Sequence, residues 1–157
     1  MNKLEIGHKA PEFSLFDNNE IEHNLSDYRG KWLIIFFYPK DNTPGCTKEA
    51  CEFKQHHTVF STLNTEILGI NTDNTESHQH FVNKQKLPFP LLSDLTGAVS
   101  KSYATLFKLG PIKFCKRHSF IIDPQGNIAK IYRKVSPAHH IEQVMVDLKT
   151  LQDNSQP

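Results

Sequence analysis

Residues 31–51 read KWLIIFFYPKDNTPGCTKEAC, and this stretch decides the fold. Residues 31–38 are nearly continuous apolar, rich in aromatic and β-branched side chains. That is the composition of a strand buried on both faces of a sheet. Pro39 ends the strand. Thr43 and Pro44 then read as a helix start, with Thr as N-cap and Pro at the first helical position. The helix is expected to run to about Leu63.

Working outward, residues 13–16 and 20–25 read as a hairpin across Asp17, Asn18 and Asn19. Residues 66–71 (EILGIN) form a second buried strand. Residues 75–86 form a polar helix with Phe81 and Val82 turned inward. Pro88 and Pro90 bracket a turn before a short strand at Leu91 and Leu92, and residues 99–106 read as a short helix. Residues 118–123 and 128–133 are strands joined by the turn sequence PQGN. The last helix is expected to start at Ser136 and Pro137, with Ile141, Val144, Met145, Leu148 and Leu151 on one apolar stripe. The tail at 152–157, QDNSQP, is expected to fray. This order predicts one α/β domain over residues 1–157, with a mixed central sheet, helices on both faces and an N-terminal β-hairpin.

A chain of 157 residues, 38% hydrophobic and 22% charged, has an ordinary globular balance and can bury a core without metals or disulfides. Its formal net charge of +1 supplies no electrostatic reason to bind nucleic acid or an anionic membrane. The first residues lack the apolar run of a signal peptide, and the longest apolar run, 32–38, is far too short to cross a bilayer. The expectation is a soluble, cytoplasmic protein. Three cysteines are too few, and odd in number, for a secreted disulfide framework. In a reducing compartment disulfides are usually transient, serving catalysis or sensing.

Cys46 falls in the first turn of the helix that follows the buried strand. Free N–H groups and the positive end of the helix dipole converge there and favour the thiolate, which is the nucleophilic form. Thr43, three residues earlier, is placed for its hydroxyl to face the sulfur and hold an attacked oxygen. Pro44 fixes the entry to the helix, and Gly45 leaves room for a close approach to the backbone. Pro39 is placed to wall off one side. The alternative for Cys46 is a buried apolar cysteine at a helix start. Cys51 lies five residues on. On an intact helix that spacing leaves the Cα atoms roughly 8–9 Å apart, whereas a disulfide needs them within about 7 Å. Any bond between the two therefore requires the helix to unwind. This spacing differs from the C-x-x-C of dithiol oxidoreductases.

Residues 37–53, FYPKDNTPGCTKEACEF, resemble the active-site signature of the peroxiredoxins, of the Q-type, or bacterioferritin comigratory protein, subfamily. The resemblance extends over nearly the whole chain: IGHKAPEFSL at 6–15, ILGINTDNTESHQHF at 67–81, PFPLLSD at 88–94, RHSFIIDPQGNI at 117–128 and the final helix follow the family's order. It implies a thioredoxin-like fold and a thiol-specific peroxidase that serves antioxidant defence and redox homeostasis. By the same resemblance Cys46 is the peroxidatic cysteine, Cys51 the resolving cysteine of the same chain, Thr43 the active-site hydroxyl, Pro39 the shielding proline and Arg117 the distant active-site arginine. Glu49 matches the family's acidic residue between the cysteines; the alternative is an exposed helix-face glutamate. The implied partners are a hydroperoxide and thioredoxin or another dithiol reductant. The implied oligomeric state is a monomer, and no cofactor is implied.

Cys115 departs from the family pattern, and the choices are an inert residue, an alternative resolving thiol or an intermolecular crosslink site. The nine histidines include adjacent pairs at 56–57 and 139–140 and a pair two apart at 78 and 80. None has zinc-ligand spacing, and no metal site is expected. Two other functions suit a helix-terminal cysteine: a disulfide oxidoreductase and a non-enzymatic redox sensor. The set Pro39, Thr43, Cys46 and Arg117 suits a peroxide pocket and is unnecessary for either.

Overall fold

The computed structural model describes residues 4–155. The elements, in chain order, are β1 (Ser14–Asp17), β2 (Glu22–Asn24), β3 (Trp32–Phe37), α1 (Pro44–Gln55), α2 (His57–Thr62), β4 (Thr65–Asn71), α3 (Thr75–Gln85), β5 (Leu91–Ser93), α4 (Ala98–Ser102), β6 (Leu106–Leu109), β7 (Ile112–Cys115), β8 (His118–Ile122), β9 (Ile128–Tyr132) and α5 (His140–Ser155). Seven strands form a mixed sheet in the order β2-β1-β5-β4-β3-β8-β9. The N-terminal hairpin is its outer edge. Among the described residues no helix is long and apolar enough to cross a membrane.

β3 sits where the apolar run predicts, with all six residues buried. It pairs parallel with β4 and antiparallel with β8, so that Ile35 faces Leu68 on one side and Phe120 on the other. Its side chains alternate between two cores. Ile34 and Phe36 join Phe53 of α1, Phe60 of α2, Phe81 of α3 and Val144 and Leu148 of α5. Leu33, Ile35 and Phe37 join Phe13, Tyr103, Phe120 and Ile122, with Val99 of α4 packed against them. Helices therefore cover both faces, four in one core and the short α4 in the other.

Several expectations need correction. The helix from residue 44 does not run unbroken to 63. Nδ1 of His56 donates to the Glu52 carbonyl at 3.0 Å, and the His56 amide bonds Lys54 instead, dividing α1 from α2. The helix at 99–106 ends at Ser102. Ala104 takes φ 53°, a left-handed conformation that stops helical propagation, and Leu106 opens β6. β6 and β7 form a separate two-stranded ribbon, with Phe107 opposite Phe114, that the pattern reading passed over. Its signal is LFKL and IKFC flanking Gly110 and Pro111.

At the C-terminus, Ser136 starts a turn rather than the helix: its carbonyl accepts from the amides of His139 and His140 at 3.1 and 3.0 Å. α5 begins at His140 and continues to Ser155, so residues 152–155 are not frayed; Gln152 Nε2 donates to the Leu63 carbonyl at 2.7 Å. Residues 156–157 lie outside the described residues.

Candidate active site

The site forms where β3 hands the chain to α1. Thr43 has the extended conformation of an N-cap (φ −83°, ψ 153°) and Pro44 opens the helix. The first helical bond runs from the Thr47 amide to the Thr43 carbonyl at 2.8 Å. Cys46 follows in the first turn, 1% exposed, on the face packed against the sheet.

Long-range pairing brings its partner. β8 lies antiparallel to β3 with His118 opposite Phe37. Arg117 therefore falls level with the end of β3, where the loop to α1 begins. It lies in the two-residue connection between β7 and β8. Its Nη2 donates to Cys46 Sγ at 3.4 Å and its Nη1 to Glu49 Oε1 at 2.8 Å. Burial works against the guanidinium charge, but Glu49 and Cys46 outweigh it and raise its pKa.

Glu49 is not on an exposed helix face. Three residues after Cys46 it shares the sulfur's side of α1 and is 0% exposed. Oε2 is buried without a hydrogen-bond partner. Burial pushes the carboxyl up to about 7, against the opposing pull of Arg117. Gly45 matters through space: an added Cβ would lie 3.0 Å from Arg117 Nη2 and 3.7 Å from Pro137 Cγ. The missing side chain is the room the guanidinium occupies.

Thr43 makes no capping hydrogen bond with its side chain. Its hydroxyl donates to the Lys40 carbonyl at 2.9 Å. The proton is thereby used, and the oxygen keeps lone pairs to accept from a ligand. Pro39, half-buried, starts this loop. Cys51 is not brought to Cys46. It is half-buried, and its thiol donates to Gln85 Oε1 of α3 at 3.5 Å. All three thiols are free. Cys115, at the end of β7, is fully buried beside Ser100 Oγ at 3.1 Å.

Beneath the loop lies a buried cluster that no local sequence pattern marks. Asp41 is buried and accepts from Tyr38, Asn71, Ser77 and His78. The local signal was weak, because an Asp in a polar loop and a His in a polar helix both read as solvated.

A thioredoxin-like sheet that presents a buried, cation-paired thiol at a helix N-terminus defines a thiol-dependent redox protein. The AhpC/TSA family profile matches residues 6–131. The chain is 39% identical over 156 residues to peroxiredoxin Bcp of Bacillus subtilis, covering 96% of this chain and 98% of that protein. It superposes on peroxidoxin BcpB of Mycobacterium tuberculosis with a TM-score of 0.88 at 28% identity, over 95% and 99% of the two chains. It superposes on the bacterioferritin comigratory protein of Xanthomonas campestris, studied for its alkyl peroxide reduction, with a TM-score of 0.83 at 31% identity, over 88% and 91%. The chain belongs to the AhpC/TSA family and, within it, to the Q-type, or bacterioferritin comigratory protein, peroxiredoxins. Its activity is that of a thiol peroxidase.

Proposed function

We propose that Cys46 is the peroxidatic cysteine and Cys51 its resolving partner in the same chain. The observation that carries this reading is the forked contact of Arg117, with one nitrogen on Cys46 Sγ and the other on Glu49. A guanidinium and a helix N-terminus converging on one sulfur stabilise negative charge there. The same groups stabilise the charge that develops on a peroxide oxygen during attack.

The cycle has three steps. The Cys46 thiolate attacks the terminal oxygen of a hydroperoxide; an S–O bond forms, the O–O bond breaks, and the alkoxide or hydroxide takes a proton to leave as alcohol or water. Thr43 Oγ1, whose own proton is committed to the Lys40 carbonyl, accepts a hydrogen bond from the hydroperoxide O–H and orients the molecule, and Pro39 shields the pocket. Cys46 is then a sulfenic acid. Cys51 condenses with it, expelling water and forming the disulfide as α1 opens. A dithiol reductant, thioredoxin in this reading, restores both thiols through a mixed disulfide and is itself oxidised. Organic hydroperoxides join hydrogen peroxide as substrates, in line with the alkyl peroxide reduction of the Xanthomonas relative. An intrachain disulfide requires no second subunit, and in this reading the protein works as a monomer, in the reducing cytoplasm, as part of antioxidant defence.

Peptide mapping after one equivalent of peroxide tests the pairing. A crosslink between Cys46 and Cys51 is expected, with faster amide exchange across residues 43–53. Cys51→Ser reduces one peroxide and stalls as a sulfenic acid. A crosslink to Cys115 or to a second chain overturns the assignment of Cys51. Peroxide-dependent oxidation of a nicotinamide donor through thioredoxin reductase and thioredoxin tests the reductant; turnover with dithiothreitol alone overturns thioredoxin.

A further inference from the structure

The loop between β3 and α1 is clamped from beneath by an ion pair, none of whose hydrogen bonds involves Cys46. The Asp41 side chain is 2% exposed and that of His78 0%. Oδ1 of Asp41 accepts from Tyr38 Oη at 2.6 Å and Asn71 Nδ2 at 3.2 Å. Oδ2 accepts from Ser77 Oγ at 2.7 Å and His78 Nδ1 at 2.6 Å. These donors come from the residue after β3, the end of β4 and the first turn of α3. The Asp41 amide donates to Asp73 Oδ2 at 2.8 Å, so backbone and side chain are both held.

Both ring nitrogens of His78 are engaged. Nδ1 of His78 faces the carboxylate and Nε2 faces the Leu92 carbonyl at 3.0 Å. Both partners accept, so each ring nitrogen is placed to donate. Burial opposes ionisation of Asp41, but the bonds from His78, Tyr38 and Ser77 outweigh it and lower its pKa. A buried ion pair adds little net stability over apolar packing. What four directional bonds onto one carboxylate do supply is position.

That position matters because of what flanks it. Pro39 lies two residues before Asp41 and Thr43 two residues after. Asn42, between Asp41 and Thr43, has φ 63°, a left-handed turn that asparagine adopts more readily than other side-chain-bearing residues. The Thr43 hydroxyl is aimed by its bond to the Lys40 carbonyl, and Lys40 is the neighbour of the clamped residue. We propose that Asp41, held by His78, is the positioning residue for the peroxide step: it fixes the Lys40 carbonyl and the turn at Asn42, and through them aims the Thr43 oxygen. This rests on the reading of Cys46 as nucleophile and Thr43 as the orienting hydroxyl.

The site is then built in two separable parts. Arg117 and the helix end govern charge on the sulfur, and the clamp governs orientation of the peroxide. Iodoacetamide alkylation needs a reactive sulfur but no oriented peroxide, so it separates the two. In Asp41→Asn and His78→Gln, the second-order rate of Cys46 oxidation by hydrogen peroxide should fall ~10-fold or more, since small misplacements of a reactant are costly. Alkylation of Cys46 should change by less than ~3-fold. Thr43→Val should slow oxidation ~10-fold in the wild-type background but less than ~3-fold when added to Asp41→Asn, because the two residues act as one unit. Ser77→Ala removes a single donor and gives the same split between the two rates if the other variants do not fold. Oxidation and alkylation falling together, or the full Thr43→Val penalty on top of Asp41→Asn, overturns the clamp. Undiminished turnover in Cys46→Ser would instead remove the reading on which it rests.

Discussion

Cys46 and Cys115 are buried to nearly the same degree, 1% and 0% exposed, and each belongs to an apolar core on one side of the sheet. What faces them differs. Cys46 has the Arg117 guanidinium 3.4 Å away and a helix N-terminus around it. Cys115 has Ser100 Oγ at 3.1 Å, and that hydroxyl already gives its proton to Asp94 Oδ2 at 2.6 Å. The Cys115 thiol is therefore the donor in its own hydrogen bond, with an anion just beyond. Burial pushes it up to about 12. Depth alone keeps a thiol inert; in the proposed mechanism a cation at the same depth makes Cys46 the reactive one. Residues 115–117 serve both ends of this contrast, two residues apart.

The largest effect that would test the contrast is Cys46→Ser. Turnover should drop to background, a loss of at least about tenfold, because a hydroxyl is not ionised at neutral pH; a rate above about a tenth of wild type would end the claim that Cys46 is the nucleophile. Next is Arg117→Ala, which makes the surroundings of Cys46 more like those of Cys115. Stopped-flow oxidation by peroxide should slow on the order of 10–100-fold, and an unchanged rate would remove the cation from the account. Gly45→Ala presses a methyl group towards Arg117 Nη2. A loss of roughly 3–10-fold is expected from the displaced guanidinium, and wild-type kinetics would mean the arginine relocates freely.

Glu49→Gln sharpens the comparison through stability. The folded carboxyl, at about 7 against a reference of 4.5, holds its proton more tightly than the unfolded one. The stabilisation it brings is complete below about pH 4.5 and is lost as pH rises through about 7. Denaturant titrations at pH 5 and pH 8 should show the wild type losing about 2–3 kcal/mol relative to Glu49→Gln over that interval. Parallel curves would show that Arg117 fully offsets the burial of Glu49. The smallest effect is Cys115→Ser, which should leave turnover within about twofold of wild type; a larger loss would mean that this buried thiol takes part in the cycle.

Residues 31–51 carry enough local information to be read directly. A seven-residue apolar run, a proline stop and a Thr-Pro cap specify β3, the loop and the start of α1 through short-range sterics and hydrogen bonding. They place Cys46 in the first helical turn, and the spacing to Cys51 sets bonding against helicity before any coordinates are known. Where local signals compete, the pattern misleads: His56 breaks a helix through its own side chain, and the β6 strand begins inside an apolar stretch that also fits a helix.

The charge environment of the sulfur was decided only by the tertiary structure. Arg117 stands 71 residues from Cys46 and 68 from Glu49, and nothing near residue 117 specifies that β8 runs antiparallel to β3 with His118 opposite Phe37. That register brings the guanidinium to the helix end. Glu49 looks like any surface glutamate until α1 packs its inner face on the sheet. Asp41 and His78 look solvated until the ends of β3 and β4 and the first turn of α3 close over them. Periodicity and caps are properties of neighbours along the chain, so the sequence alone determined which segments became β3 and α1 and which cysteine sits at the helix end. Electrostatic partnership is a property of neighbours in space, so pairing of distant strands decided which charges that cysteine meets.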